Sequence, residues 1–312
     1  MARRLSGQNK LKQVGKSSTI GKVLLVGNGI NADSPGYKWA DLVRELIKKF
    51  GRKKKIEAGN KPFPLLYEEI VLKSGNKILQ EKAIKDFIAE KVQSIEPNRI
   101  HEEIANASFA SILTTNYDYS LETALGAGGG NLKNAGAVKE TRYSLFRHSV
   151  IGSTKLWHIH GEASSPPSIL LGYEQYCGYL QYMRNYVVTG TGESYKNHID
   201  ALGKRMQDGK NTILSWVDYF FLGDVYVLGL TMDFVEMHLW WILTYRARAM
   251  RSGLLPIHNK VVFFVPRQYV KENKERFQLL ESCGVSVLKL TYKRENRLGY
   301  YGSALKIIAE DI

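Results

Sequence analysis

Short apolar runs separated by helix-length segments limit the fold of this 312-residue chain more than any other feature. A short run of apolar residues bounded by turn residues is typical of a strand buried on both faces of a parallel sheet. One intervening segment has apolar residues at helical spacing, with Leu42, Val43 and Leu46 on one face. Alternating strands and helices predict a doubly wound α/β fold with a mostly parallel sheet. The strands are predicted at residues 22–26, 110–113, 155–159, 224–228, 260–265 and 285–290.

Two intervals between predicted strands are too long to be simple crossovers. Residues 51–108 and 162–222 both contain helical patterns, so we interpret them as helical insertions that pack together as a cap over the ligand-binding edge of the sheet. The tyrosines of the second insertion either pack inside the cap, which we favour, or form an interface with another subunit. They are Tyr173, Tyr176, Tyr179, Tyr182, Tyr186 and Tyr195.

The positive charge of the chain is concentrated in two short segments. Lys and Arg total 44 against 30 Asp and Glu, which gives a formal charge of +14. Residues 1–22 and the run Lys48–Lys55 carry most of this excess. We therefore predict a flexible basic tail at residues 1–20, followed by a single domain at residues 21–312. Such runs are usually solvated faces, and no nucleic-acid-binding signature accompanies them, so binding to nucleic acid is kept only as an alternative.

The two cysteines and the hydropathy pattern bear on the cellular setting. Cys177 and Cys283 are too far apart in sequence to form a CxxC pair, a zinc ribbon or a disulfide framework. This usage favours a reducing, cytoplasmic setting. No apolar run approaches the length of about 18 residues that a membrane span needs, so we expect no contact with a membrane.

A glycine turn follows the first predicted strand. Gly27, Gly29 and Ala32 form the pattern GxGxxA between a strand and a helix, which is where this spacing allows a pyrophosphate to approach the backbone. A plain strand-to-helix turn is the alternative. A dehydrogenase would have an acidic residue about 20 positions later, but the basic run lies there, so hydride transfer is disfavoured.

Polar residues follow the second predicted strand in the segment Thr114–Asp118, which reads TTNYD. Their side chains are expected at the carboxyl edge of the sheet, where open α/β sheets bind ligands. Asn116 can bond a ribose hydroxyl or hold a water, and Asp118 can orient it. The alternative is an Asx-turn that satisfies local backbone groups.

Two histidines close the third predicted strand. His158 and His160 lie two residues apart, so they are expected to share a strand face, and Gly161 allows a close approach at the turn. A histidine here can serve as a general base. The alternatives are a structural histidine and a metal-dependent hydrolase that uses His158, His160 and Glu162 as ligands.

The fourth strand end carries Gly229, Thr231 and Asp233. Gly229 would let a nucleotide lie over the backbone, and Thr231 can contact phosphate or ribose. Asp233 either takes part in this site or caps a helix that begins at Phe234.

In this order the four strand ends resemble the motifs of the sirtuin superfamily. The GAGxS-like turn appears as residues 27–31, TQNxD as residues 114–118, the HG pair as His160 and Gly161, and GxS as residues 229–231. The resemblance spans about residues 20–290 and is closest to the NAD-hydrolysing effector domains of bacterial antiphage defence. It implies a Rossmann-like NAD site in which Asn116 and His160 are the catalytic pair. We assign Asp118 to the catalytic residues as an orienting carboxylate rather than a second base. The residues it assigns to NAD binding are Gly27, Asn28, Gly29, Asn31, Thr115, Gly229, Thr231 and Asp233.

Departures from the protein-deacylase branch narrow the expected chemistry. Those enzymes carry a four-cysteine zinc module between the HG and GxS motifs, where this chain has only Cys177. Residues 33–36 replace a GIPDFR-like segment, and Asn31 stands where the family usually has serine. We therefore expect no zinc module and no metal, and keep deacylation as an alternative. The resemblance implies cleavage of NAD to nicotinamide and ADP-ribose, by a homo-oligomer or together with a separately encoded sensor or ATPase subunit.

Overall fold

The computed structural model describes residues 20–51, 56–73, 77–128, 132–192 and 198–311. The predicted basic tail, apart from residue 20, lies outside the described residues, as do residues 52–55 of the second basic run. Tyr195 of the second insertion also lies outside them.

Within the described residues a seven-stranded sheet has the order β3-β4-β2-β1-β5-β6-β7. All strand pairs are parallel except the edge pair of β3 with β4, which is antiparallel. The predicted α/β fold is therefore confirmed, although the sequence patterns miss β3. That strand has only three residues, all at least partly exposed, so it contains no buried apolar run. The strands are β1 (Lys22–Val26), β2 (Ser111–Thr114), β3 (Ser149–Ile151), β4 (Thr154–His158), β5 (Asp224–Leu228), β6 (Val261–Pro266) and β7 (Ser286–Leu290).

Helices cover both faces of the sheet because alternate strand residues point to opposite sides. On one face, Val23 and Leu25 of β1 join a large core cluster. On the other face, Leu24 and Val26 join a second cluster. The helices are α1 (Trp39–Phe50), α2 (Phe63–Leu72), α3 (Lys77–Val92), α4 (Arg99–Asn106), α5 (Ser120–Ala124), α6 (Tyr173–Val188), α7 (Leu202–Gln207), α8 (Tyr219–Leu222), α9 (Met237–Arg251), α10 (Lys274–Ser282) and α11 (Arg297–Glu310).

The strand order reverses at β1, which pairs with β2 on one side and with β5 on the other. In open α/β sheets the connections that leave such a strand run to opposite faces, and this opens a crevice at the carboxyl ends of the strands. The four motifs follow β1, β2, β4 and β5. The topology therefore brings all four to the edge at which a ligand is expected.

The two insertions pack against each other, but they do not form a single cap. Gln175 Nε2 of α6 donates to Tyr67 Oη of α2 at 3.2 Å, and Lys85 Nζ of α3 donates to the carbonyl of Pro167 at 3.0 Å. Leu42, Leu66 and Ile88 belong to a separate apolar cluster that joins α1, α2 and α3. The first insertion thus builds most of the cap through α2 and α3.

Other parts of the insertions pack on the sheet instead. Helix α4 contributes Ile100 and Ile104 to the core beneath one sheet face. Helix α6 contributes its buried side chains Tyr176, Tyr179 and Tyr186 to the core on the opposite face. These three tyrosines are therefore buried, as predicted, but they lie in the core against the sheet rather than inside the cap.

Cys177 is exposed, Cys283 is buried, and neither forms a disulfide. These two are the chain's only cysteines, so the structure holds no zinc-binding cysteine cluster. No helix in the described ranges combines the length and apolar character that crossing a bilayer demands.

Candidate active site

A cavity of about 1010 Å³ opens at the carboxyl ends of β1, β2, β4 and β5. This volume lies at the upper end of the roughly 300–1,000 Å³ typical of small-molecule sites. Of the eleven residues assigned to catalysis or NAD binding, ten line it: Asn28, Gly29, Asn31, Thr115, Asn116, Asp118, His160, Gly229, Thr231 and Asp233. Gly27 does not line the cavity.

The cap supplies the opposite wall of the cavity. Residues 59–64 before and within α2 line it, together with Trp39 of α1. The Trp39 and Phe63 rings meet edge to face, with centroids 4.7 Å apart. Lys38 also lines the cavity, and its Nζ donates to the carbonyls of Ala32 at 3.1 Å and of Ser34. The site thus combines an apolar wall, a positive charge and a polar floor.

The glycines of the first turn allow it to pack on the turn after β5. A Cβ on Gly27 would lie 2.7 Å from the Gly229 carbonyl oxygen, and a Cβ on Gly29 would lie 2.8 Å from Gly229 Cα. The Gly27 N–H donates to the Leu228 carbonyl at 3.1 Å, and the Gly29 N–H donates to the Gly229 carbonyl at 2.8 Å. Because these two amides are already paired, they are not free to bind a pyrophosphate in this structure. The glycines are needed here for backbone-to-backbone contact.

Asn31 links the first two motifs through its buried side chain. Its Nδ2 donates to Asp118 Oδ2 at 2.7 Å, and its Oδ1 lies 3.0 Å from His101 Nε2. The Asn98 N–H donates to His101 Nδ1 at 3.1 Å, so the neutral ring carries its proton on Nε2 and donates it to Asn31. Burial lowers the pKa of His101 to about 4, although the negative charge of Asp118 acts to raise it. The ring is therefore neutral near pH 7. The sequence patterns did not single out His101, because nothing in its helix distinguishes it from a core residue.

Asp118 is fixed by two hydrogen bonds. Its Oδ2 accepts from Asn31, and its Oδ1 accepts from the Ser120 N–H at 3.0 Å. The second bond is an Asx-turn, so that alternative applies to Asp118. The arrangement fits an orienting role for this carboxylate.

Asn116 has a fixed backbone and an available side chain. Its N–H donates to Thr114 Oγ1 at 3.0 Å, and its carbonyl accepts from His158 Nδ1 at 2.7 Å. Among the described residues its carboxamide makes no hydrogen bond, although the residue is only 7% exposed. A nearly buried amide without a partner at a cavity wall is available to a ligand.

His158 and His160 do not share a face, so this prediction is wrong. Strand β4 ends at His158, and Gly161, with φ of +90°, turns the chain directly after His160. His158 Nε2 lies 2.7 Å from Glu122 Oε1, and neither residue lines the cavity. Burial alone would lower the pKa of His158, but the Glu122 carboxylate outweighs it and raises this pKa to about 9. His158 is thus a charged structural residue that ties β4 to α5.

The ligand set His158, His160 and Glu162 is not assembled either. Glu162 Oε1 pairs with Arg147 Nη1 at 3.0 Å, and His158 pairs with Glu122. Over the part of the chain that the structure describes, the group with metal-ligand spacing is instead His160, Glu236 and His238.

His160 reaches the cavity from the turn after β4 and lies among buried polar groups. Its Nε2 is 3.0 Å from His238 Nε2 and 3.3 Å from Glu236 Oε2. The Tyr176 ring packs edge-on against it, with centroids 5.7 Å apart. Burial and the neighbouring His160 lower the pKa of His238 well below its ordinary value. The sequence patterns did not single out Glu236 and His238 as site residues, because neither directly follows a predicted strand.

The segment after β5 does not enter a helix at Phe234, which was one of the two expectations for it. Helix α9 begins at Met237 with Glu236 at its N-cap position, so Asp233 does not cap it and that alternative is wrong. The Asp233 carboxylate lies 3.8 Å from Arg276 Nη2, and Arg276 Nη1 donates to the Thr231 carbonyl at 3.1 Å. Residues 229–236 therefore form an irregular segment along the cavity.

Residues 110–213 match the family model described as SIR2-like domain, about a third of the chain. The matched range contains Asn116, Asp118 and His160 but neither the glycine turn nor the segment after β5. No curated protein matches the chain. Residues 110–213 are thus similar to a SIR2-like domain, which supports membership of the sirtuin-like superfamily and a function related to NAD.

Proposed function

We propose that the protein is an NAD glycohydrolase, which cleaves NAD to nicotinamide and ADP-ribose. The observation that carries the proposal is that the free carboxamide of Asn116 and the ring of His160 line one cavity, and that both residues lie in the range that matches a SIR2-like domain. The volume, the apolar wall and the charge of Lys38 suit a dinucleotide that has aromatic bases and a pyrophosphate.

Hydrolysis replaces the bond between ribose C1′ and the nicotinamide nitrogen with a bond from C1′ to a water oxygen. Nicotinamide leaves as a neutral molecule and takes the electron pair of the broken bond, so it needs little help from an acid. The barrier lies in the developing oxocarbenium character of the ribose, which a site lowers by positioning and by electrostatic stabilisation. One proton is released from the attacking water.

In this proposal Asn116 positions the ribose and the water, and His160 accepts the proton from that water or from a ribose hydroxyl. Asp118 acts through Asn31, which it holds at 2.7 Å. Gly29, Asn31, Thr115, Gly229 and Thr231 line the region that would take the rest of the dinucleotide. The assignment of Gly27 stays a prediction.

A protein deacylase is the alternative that uses the same first step. That branch needs a four-cysteine zinc module, and the chain has only two cysteines in total. We therefore favour water over an acylated peptide as the acceptor. In a cell such an enzyme would deplete NAD as a toxic effector of antiviral defence, as a homo-oligomer or under the control of a sensor or ATPase subunit.

The test is product analysis by chromatography, with NAD supplied in the presence and in the absence of an acetylated-lysine peptide. The reactions contain the full chain together with its natural partners. We expect nicotinamide and ADP-ribose in equal amounts without the peptide. Nicotinamide that appears only when the peptide is present would support the deacylase instead, and no nicotinamide under either condition would overturn both.

A further inference from the structure

We propose that His160, Glu236 and His238 form a binding site for a divalent transition-metal cation of the zinc class. The ligand atoms of the three side chains all lie within 4.8 Å of one another. Two histidines and one glutamate are a donor set that zinc accepts in three-ligand sites with an open fourth position. This inference goes beyond the proposed function, since nothing in NAD cleavage calls for a metal.

The distances suit a cation with little rearrangement. Nitrogen and oxygen ligands lie about 2.0–2.2 Å from zinc, so two ligands at a tetrahedral angle are separated by about 3.3 Å. His160 Nε2 lies 3.3 Å from Glu236 Oε2 and 3.0 Å from His238 Nε2. The third pair is more open, since His238 Nδ1 lies 4.0 Å from Glu236 Oε2, so these two side chains have to move closer together to bind one ion.

Two buried atoms of the cluster lack hydrogen-bond partners among the described residues. Glu236 Oε2 makes no hydrogen bond despite its distance to His160, and His238 Nδ1 is likewise without one. A buried acceptor without a partner destabilises a fold, and a charged one does so more strongly. A cation among the three side chains would satisfy the Glu236 oxygen directly.

The surroundings make the cluster a built site rather than a chance surface group. His238 is fully buried, and the rings of Tyr176, Tyr179 and Trp216 pack around it. Metal–ligand attraction is stronger where water is excluded. His160 and Glu236 line the cavity, so the fourth position of the cation would face the space where substrate is expected.

A cation at this site would occupy the His160 lone pair that the proposed mechanism uses as a base. Metal binding and NAD cleavage would then exclude each other, and zinc would act as an inhibitor. This consequence rests on the proposed function, whereas metal binding itself does not.

The test uses the metal-stripped full chain titrated with Co²⁺, followed by visible absorption and by calorimetric titration with Zn²⁺. We expect one equivalent of Co²⁺ with the spectrum of four-coordinate cobalt, displaced by Zn²⁺. Glu236→Gln and His238→Gln should each weaken binding by at least about tenfold, since even outer partners of a metal site contribute that much. Glutamine has nearly the same shape as glutamate, so Glu236→Gln is expected to fold. Its affinity for Co²⁺ therefore tests the site even if His238→Gln fails to fold.

The matched control is His198→Gln, which removes an exposed imidazole beside Asp200. It should leave Co²⁺ binding unchanged. The proposal is overturned if the protein gives no four-coordinate cobalt spectrum, or if Glu236→Gln binds as tightly as the unaltered chain. A protein that binds Co²⁺ but never cleaves NAD would overturn the proposed function and leave the metal site standing.

Discussion

Asn31 donates its side-chain N–H to Asp118 Oδ2 at 2.7 Å and thereby joins the turn after β1 to the turn after β2. Both side chains are nearly buried, at 5% exposure each. The bond crosses the edge of the sheet where the strand order reverses. Two motifs that lie 87 residues apart are thus held in one geometry.

Asp118→Asn should loosen this link and destabilise the fold. The side-chain oxygen of an asparagine can accept from only one of the two donors, Asn31 Nδ2 or the Ser120 N–H. Its NH₂ group then faces the other donor, and no hydrogen bond forms there. We expect a loss of about 1–3 kcal/mol in the free energy of unfolding, measured by urea denaturation. Asp208→Asn is the control, because that carboxylate is exposed and pairs with Lys210 at 3.5 Å. Equal stability of the two variants would contradict the structural role of Asp118.

Gly229→Ala should destabilise the protein more than Gly253→Ala. Both glycines have φ of +63°, so alanine is strained equally at the two positions. A Cβ on Gly229 would lie 2.9 Å from Tyr301 Oη and 3.2 Å from the Ile30 nitrogen, whereas Gly253 has nothing within 4 Å. Overpacking adds about 1–3 kcal/mol at Gly229, measured as the difference between the two variants in urea. Equal losses would mean that the turns are not in close contact.

The pair of His158 and Glu122 should make stability fall as the pH rises above neutrality. The pKa of His158 is about 9 in the folded protein, above its ordinary value of 6.5, because Glu122 and Glu162 outweigh burial. Below about pH 6.5 the ring is charged in both states and its stabilisation is complete. Between 6.5 and 9 only the folded state keeps the proton, so the contribution declines by at most about 1.4 kcal/mol per pH unit.

The control for this pH dependence is the double variant Glu122→Gln with His158→Gln. It removes both charges and leaves no buried carboxylate without its partner. Glu140 and Lys85 also have shifted pKa values, about 7 and about 8, so only the difference between the two proteins isolates the pair. Chemical denaturation at several pH values should show that this difference shrinks from pH 6.5 to 9. A constant difference would show that His158 is not charged in the fold.

Much of the fold follows from local sequence patterns. Four of the five residues of β1, Val23–Val26, are an unbroken apolar run before a glycine, and the structure places the strand at Lys22–Val26. Strand β3 has no such run. It lies at the sheet edge, where pairing with β4 forms the strand without a buried apolar sequence. Helix α9 begins at Met237 rather than at Phe234, whose side chain is 56% exposed and lies outside the core.

The site was predictable only where its residues follow strands. Asn116 and His160 each follow a buried run, so their shared edge could be inferred. His101 lies on α4, and only the folding of the chain brings it to Asn31. Glu236 and His238 interrupt an apolar stretch, and the pattern alone gives no reason to place them against His160.

The rate of nicotinamide release from NAD tests the central claim most directly. The assay compares the unaltered chain with Asn116→Ala, His160→Ala and the exposed-histidine control His198→Ala, each with the natural partners present. We expect release by the unaltered chain and the control, and a loss of at least about 100-fold in the two site variants at a temperature where unfolding curves show them to be folded. Full activity in Asn116→Ala and His160→Ala would contradict the assignment of these two residues to NAD cleavage.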